Sequence, residues 1–104
     1  MTSARVSPGP SAIHGTGLFA RRTIRSGTHI GTYQGPMVKT DGTYVLWVQE
    51  GGRPVGRKGV NELRYLNHSD RPNAEFDGFE LYALRTIRAG EEITINYHPD
   101  GADF

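Results

Sequence analysis

Residues 82–93, YALRTIRAGEEI, repeat a pattern that the chain has already used at residues 19–30, FARRTIRSGTHI. At an offset of 63, seven of the twelve positions are identical: Ala, Arg, Thr, Ile, Arg, Gly and Ile. Each copy reaches a tyrosine within four residues, Tyr33 after the first and Tyr97 after the second. Each reads as a strand, a turn built on Gly27 or Gly90, and a second strand, with its two isoleucines pointing inward. A lone two-stranded hairpin is marginal in water. Two such hairpins are therefore expected to pack about a local twofold, each burying the other's apolar face.

Outward from the repeat, the remaining apolar positions are also spaced for strands. Leu18-Phe19-Ala20, Ile30-Gly31-Thr32-Tyr33, Tyr44-Val45-Leu46-Trp47-Val48, Ala74-Glu75-Phe76, Glu80–Leu84 and Glu92–Tyr97 alternate or run as short β-rich segments. Gly51-Gly52, Asp77-Gly78 and Ala89-Gly90 punctuate them, and residues 53–60 read as a turn and a short strand. Asp70-Arg71-Pro72-Asn73 is a turn, because the proline restricts the residue before it. Asn61–Leu66 has room for a helical turn or two, with Asn61 as N-cap. No stretch supplies the ten to twelve periodic residues of a longer helix. The fold class is mostly β, built from short strands. Residues 1–10 are Pro/Ser-rich and expected to be flexible, residues 11–97 form the domain, and residues 98–104 are a tail.

At 104 residues the chain is one domain, able to bury roughly two-thirds of its unfolded surface. Twelve Lys and Arg stand against eleven acidic residues, so no global basic field points to nucleic acid or an anionic membrane. The absence of cysteine excludes disulfides and thiolate zinc clusters. No apolar run suits a signal or a membrane span. A soluble intracellular protein, cytoplasmic or nuclear, is the expectation.

Three short signals carry chemistry. In His14-Gly15-Thr16-Gly17, glycines would let the backbone approach a ligand, although a tight turn reads the same way. Arg64-Tyr65-Leu66-Asn67-His68-Ser69, with Pro72-Asn73, puts an Asn and a His side by side, able to read an adenine edge or an amine. The plain alternative is a polar turn. His68, His98, Asp70 and Asp100 are possible metal ligands, but their spacing fits no standard zinc pattern. Gly90-Glu91-Glu92-Ile93…Tyr97 ends a strand on a tyrosine, commonly a packing residue with its hydroxyl at the rim.

In this order the signals resemble the SET-domain family of lysine methyltransferases, from about Ser11 to Tyr97. HGTGLFA is similar to that family's first motif, Tyr33-Gln34-Gly35 to its Y-x-G, RYLNHS…PN to its NHS segment, and GEEI…Y to its closing motif. The resemblance implies a β-clip of small curved sheets, with a C-terminal pseudoknot between the NHS and closing segments. It implies methyl transfer from S-adenosylmethionine to the ε-amine of a lysine. Tyr97 would be the catalytic tyrosine and Tyr33 its channel partner. The backbone of His14-Gly15-Thr16, the side chains of Asn67 and His68, and less directly Arg64 and Tyr44 would hold the cofactor. Phe76 would line the lysine channel beside the amine and permit di- and trimethylation. No metal is implied.

Two departures stand out. Position 70 is Asp where many relatives have cysteine, and these 104 residues hold no cysteine for the zinc module that follows the closing tyrosine in many of them. His98, Pro99 and Phe104 of the tail, or a second subunit in a homodimer, would then close the channel. Glu75, Asp77 and Glu80 hint at a basic, histone-like protein or peptide substrate. A β-clip binding module without turnover and a small-molecule amine methyltransferase are the competing readings.

Overall fold

Why the repeat exists is visible in how its two copies pair. In this computed structural model, which describes residues 5–97, strand β2 (Thr16–Ala20) pairs antiparallel with β10 (Glu92–Ile95), not with its own sequence neighbour. Strand β3 (His29–Thr32) pairs with β9 (Glu80–Ala83). The first strand of each copy thus joins the second strand of the other. Register follows the offset: Phe19 faces Glu92, and Tyr82 faces His29. On the axis, Ile24 and Ile87 bridge each other, each N–H donating to the other's carbonyl at 2.8 Å. Gly27 N–H donates to Ala83 and Gly90 N–H to Ala20, both at 2.8 Å.

The local twofold and the inward isoleucines are as expected, but the two self-contained hairpins are not. The physical reason is burial. Swapped pairing places Ile24, Ile87, Ile30 and Ile93 in one core, all buried, where each contributes about 1.5–3 kcal/mol relative to exposure. Gly27 and Gly90 take φ of +81° and +88°, the left-handed turn conformation that glycine adopts without strain.

Three small sheets surround this core. The first runs β1 (Val6–Pro10), β2, β10, β7 (Asn67–His68); the second β3, β9, β8 (Ala74–Asp77); the third β4 (Met37–Val38), β6 (Arg53–Lys58), β5 (Val45–Glu50). Residues 6–10, expected to be flexible, instead form an edge strand in full register with β2. An edge tolerates Pro8 and Pro10 because half its N–H groups face away from the ladder, and Val6 fixes the strand by full burial. The stretch 53–60 also yields more strand than expected, with β6 pairing along all of β5 beyond the Gly51-Gly52 turn.

A single 3-10 turn spans Glu62–Tyr65. Asn61 does not cap it through its side chain. Its amide donates to the Thr32 carbonyl at 2.8 Å and accepts from Gln34 N–H, tying the turn to the chain after β3. Strands β7 and β10 pair in parallel, Asn67 facing Thr94 and His68 facing Ile95. Asn73 ties the turn after β7 to β10, donating to the Glu92 carbonyl and accepting from Thr94 N–H, each at 2.8 Å. This is where the pseudoknot was expected. Among the described residues, no helix is long and apolar enough to cross a membrane.

Candidate active site

A cleft of about 1100 Å³ opens where three stretches of chain meet: residues 14–16, residues 63–67 and the end of β10 with the residues after it. Strand β5 supplies one wall through Val45, Leu46 and Val48, and Phe76 of β8 another.

The 11–16 loop is held by a carboxylate. Ser11 Oγ donates to Glu92, 2.7 and 2.9 Å from its two oxygens, and accepts from the N–H groups of Ile13 and His14. Asn67 Nδ2 donates to Glu92 Oε2 at 2.8 Å and also lies 3.0 Å from the His14 carbonyl. A Cβ on Gly17 would strike the Glu92 carboxylate, so the second glycine of the G-x-G leaves room for this approach. Gly15 differs: its φ is +44° and open space surrounds it.

On the other side, two phenols line the cleft with their hydroxyl hydrogens already committed. Tyr97 Oη donates to the Leu66 carbonyl at 2.7 Å, and Tyr33 Oη donates to the Tyr44 carbonyl. Both oxygens keep lone pairs with which to accept. Burial pushes the Tyr33 phenol up to about 12, with nearby Tyr97 adding to the shift and Arg64 opposing it. Burial also raises Tyr97. Both therefore stay protonated at neutral pH and cannot serve as anionic bases there.

Tyr33 is positioned from several directions. Its N–H donates to Phe79 O at 2.7 Å, and Arg57, stacked 4.1 Å over the Phe79 ring, donates to its carbonyl at 3.0 Å. Gly59 leaves room for the phenol, since a Cβ there would lie 2.5 Å from its hydroxyl. Phe76 meets the Tyr33 ring edge-on, 5.8 Å between centroids at 90°. Tyr44 takes φ of +66°, strained for a bulky side chain. Its carbonyl is fixed there by Tyr33 and by Gly59 N–H. Arg64 stacks 4.3 Å from the Tyr65 ring centroid, with Tyr44 at 5.9 Å, and donates to the carbonyls of Val60 and Asn61.

Of the residues singled out from sequence, His14, Gly15, Thr16, Tyr33, Tyr44, Arg64, Asn67, Phe76 and Tyr97 all line this one cleft. His68 does not. Its ring packs on Tyr97, 5.2 Å between centroids, its Nδ1 accepts from Tyr97 N–H at 3.0 Å, and Nε2 faces Asp70 at 2.9 Å. A ring nitrogen that accepts carries no hydrogen, so Nε2–H points at the Asp70 carboxylate. Sequence reasoning overlooked Ser11, Glu92, Arg57 and Gly59. Glu92 sits inside the quoted GEEI, but nothing local shows that it reaches Ser11. His98, Pro99, Asp100 and Phe104 lie outside the described residues. Among the described residues no group of three His, Asp or Glu is placed to hold a metal ion.

Small curved sheets, with the NHS segment paired in parallel to the strand that precedes Tyr97, define a β-clip domain of the methyltransferase type. The chain belongs to the SET-domain family, whose model matches residues 15–98. It is 26% identical over 126 residues to the histone-lysine N-methyltransferase MEDEA of Arabidopsis thaliana, covering 99% of this chain and 18% of that protein. It is 31% identical over 109 residues to histone-lysine N-methyltransferase 2B of Homo sapiens, covering 84% of this chain and 4% of that protein. The chain thus spans a small part of these relatives. The methyltransferase domain of human PR domain-containing protein 2 superimposes with a TM-score of 0.70 at 23% identity, covering 89% of this chain and 76% of that one. A Plasmodium falciparum structure gives 0.71 at 21%, covering 92% and 95%. At these identities the likeness to solved structures is one of fold.

Proposed function

We propose that this domain transfers a methyl group from S-adenosylmethionine to the ε-amine of a lysine in a protein. The observation that carries the reading is the pair Tyr33 and Tyr97. Two neutral phenols face one cleft as acceptors, each with its own hydrogen spent on a backbone carbonyl. An amine must present its lone pair to the methyl carbon, and acceptors for its N–H bonds orient it without competing as nucleophiles.

The cleft's residues fit the cofactor. Gly15 leaves open space beside the His14 and Thr16 backbone, Asn67 is fixed by Glu92, and the Tyr44–Arg64–Tyr65 stack offers flat surfaces to an adenine. When bound, the cofactor supplies a sulfonium methyl: the amine forms the new C–N bond, the C–S bond breaks, and a neutral thioether leaves. An amine with a pKa of about 10.4 is protonated in water. Apolar walls and a neighbouring cation both favour the neutral form that the reaction needs. His68 then acts behind the site, holding the Tyr97 main chain.

Phe76, edge-on to Tyr33, brings no hydroxyl to the amine, which supports repeated transfer to di- and trimethyl-lysine. Glu75 lines the same cleft and supports a basic, histone-like substrate. Incubation with labelled S-adenosylmethionine and a cell lysate tests the reading. Label in a lysine of a protein supports it; label only in small amines, or none, overturns it.

A homodimer would close the channel and use the apolar stretch at residues 44–48, but little of that stretch is free. Leu46 and Val48 pack against the core, leaving Tyr44 and Trp47 about 40% exposed at 43% and 37%. Sedimentation at micromolar concentration is expected to show a dimer; monomer alone would remove the idea.

A further inference from the structure

The balanced total charge conceals a local imbalance. Segments 20–28 and 83–91, which meet at the Ile24–Ile87 bridge, carry five arginines (21, 22, 25, 85 and 88) against one acidic residue, Glu91. That is a net of four positive charges in a chain whose total is +1, so the rest of the molecule is net negative. All five arginines are exposed, and none lines the cleft. Among the described residues, no ion pair engages Arg21, Arg22, Arg25 or Arg88; Arg85 lies 3.7 Å from Glu91.

Geometry makes this more than a composition effect. Ile24 and Ile87 are buried at the bridge, whereas their chain neighbours Thr23, Arg25, Thr86 and Arg88 are all exposed, the alternation that a bridged pair imposes. Arg25 and Arg88 occupy equivalent positions at the offset of 63, as do Arg22 and Arg85. Arg25 and Arg88 each stand one residue past the bridged isoleucine of their own segment. Exposed arginines and threonines thus occupy equivalent positions on both sides of a local twofold.

We propose that this outer face docks on the phosphate backbone of a nucleic-acid duplex. A duplex carries local twofold axes of its own, and symmetric binders match their axis to it. Planar guanidinium suits phosphate oxygens through paired hydrogen bonds, and the hydroxyls add neutral donors of the kind that position a protein on a backbone. A membrane surface would call for apolar anchors among the charges. Here Thr23, Ser26 and Thr86 stand among the arginines, and the one exposed large apolar side chain of the two segments, Leu84, lies at the cleft. Leu84, one residue before Arg85, lines the cleft, so the basic face and the cleft share a border. A basic substrate bound to the same duplex would meet the cleft from this side.

The test uses the full chain and a labelled duplex of about 16 base pairs, read by fluorescence anisotropy over a salt series. Neutralising about four phosphates gives a log–log salt slope of about −3 to −4. Arg25→Glu with Arg88→Glu should weaken binding about tenfold or more and flatten the slope by about two. Arg25→Gln with Arg88→Gln replaces this pair if charge reversal lowers the thermal midpoint. Methyl transfer to a free lysine peptide should be unchanged in either pair, and duplex binding is scored without any turnover. No salt-dependent binding, binding that ignores the pair, or equal binding to single strands or polyglutamate would overturn the proposal.

Discussion

Asn67 donates from its amide to the Glu92 carboxylate at 2.8 Å, joining the two most recognisable motifs of the chain in one hydrogen bond. Ser11 completes the link to the 11–16 loop from the same carboxylate. The three groups form one unit: Glu92 accepts, while Asn67 and Ser11 donate.

Asn67→Ala should therefore weaken binding of S-adenosylhomocysteine, with fold retained. Glu92→Gln should do the same more mildly, since one acceptor oxygen remains. Loss of a buried hydrogen-bonding partner is worth about 1–3 kcal/mol, or roughly five- to a hundredfold in affinity. Calorimetric titration of both variants decides it. Unchanged affinity in Asn67→Ala would leave the NHS segment a purely structural role.

Tyr97→Phe removes one oxygen from the cleft and one donor from the Leu66 carbonyl. Turnover at saturating cofactor should fall by about 10²–10⁴-fold, the usual contribution of a positioned proton-handling group. Stability should change by only about 1 kcal/mol. Full activity in this variant would take Tyr97 out of the chemistry.

Alkaline pH should report on Tyr33. Its phenol is held up to about 12 by burial, whereas an unfolded tyrosine ionises near pH 10. Between those values the unfolded chain has released a proton that the native chain keeps, so stability falls as pH rises. Urea-unfolding midpoints should be insensitive to this group below about pH 10 and decline above it. Tyr33→Phe should decline less steeply over the same window; an identical slope would mean the phenol titrates as if exposed.

Product multiplicity depends on Phe76. If it borders the amine, wild type accumulates di- or trimethyl-lysine, and Phe76→Tyr shifts product towards monomethyl-lysine. The change is one hydroxyl and the water it retains, on the order of 1–3 kcal/mol. Mass spectrometry of a peptide over a time course reads the ratio. A wild type that stops at one methyl, or a ratio that Phe76→Tyr leaves alone, assigns Phe76 to core packing.

The sequence by itself determined the strand-built class, the family and nine of the residues that meet in the cleft. Short-range alternation marks which side chains turn inward, and several cleft residues are legible because they lie in short contiguous motifs, His14-Gly15-Thr16 and Arg64 to Asn67. Only the tertiary structure decided which strand neighbours which. Alternation assigns a residue to a face but never names its partner, so the exchange of strands about Ile24 and Ile87 was illegible. The same gap hid β1, whose prolines read as coil until an edge position accommodates them. It hid Glu92 as well, whose partners Ser11 and Asn67 stand 81 and 25 residues away along the chain. It also hid the basic face, because a total of +1 says nothing of where the charges go when two distant segments fold against each other.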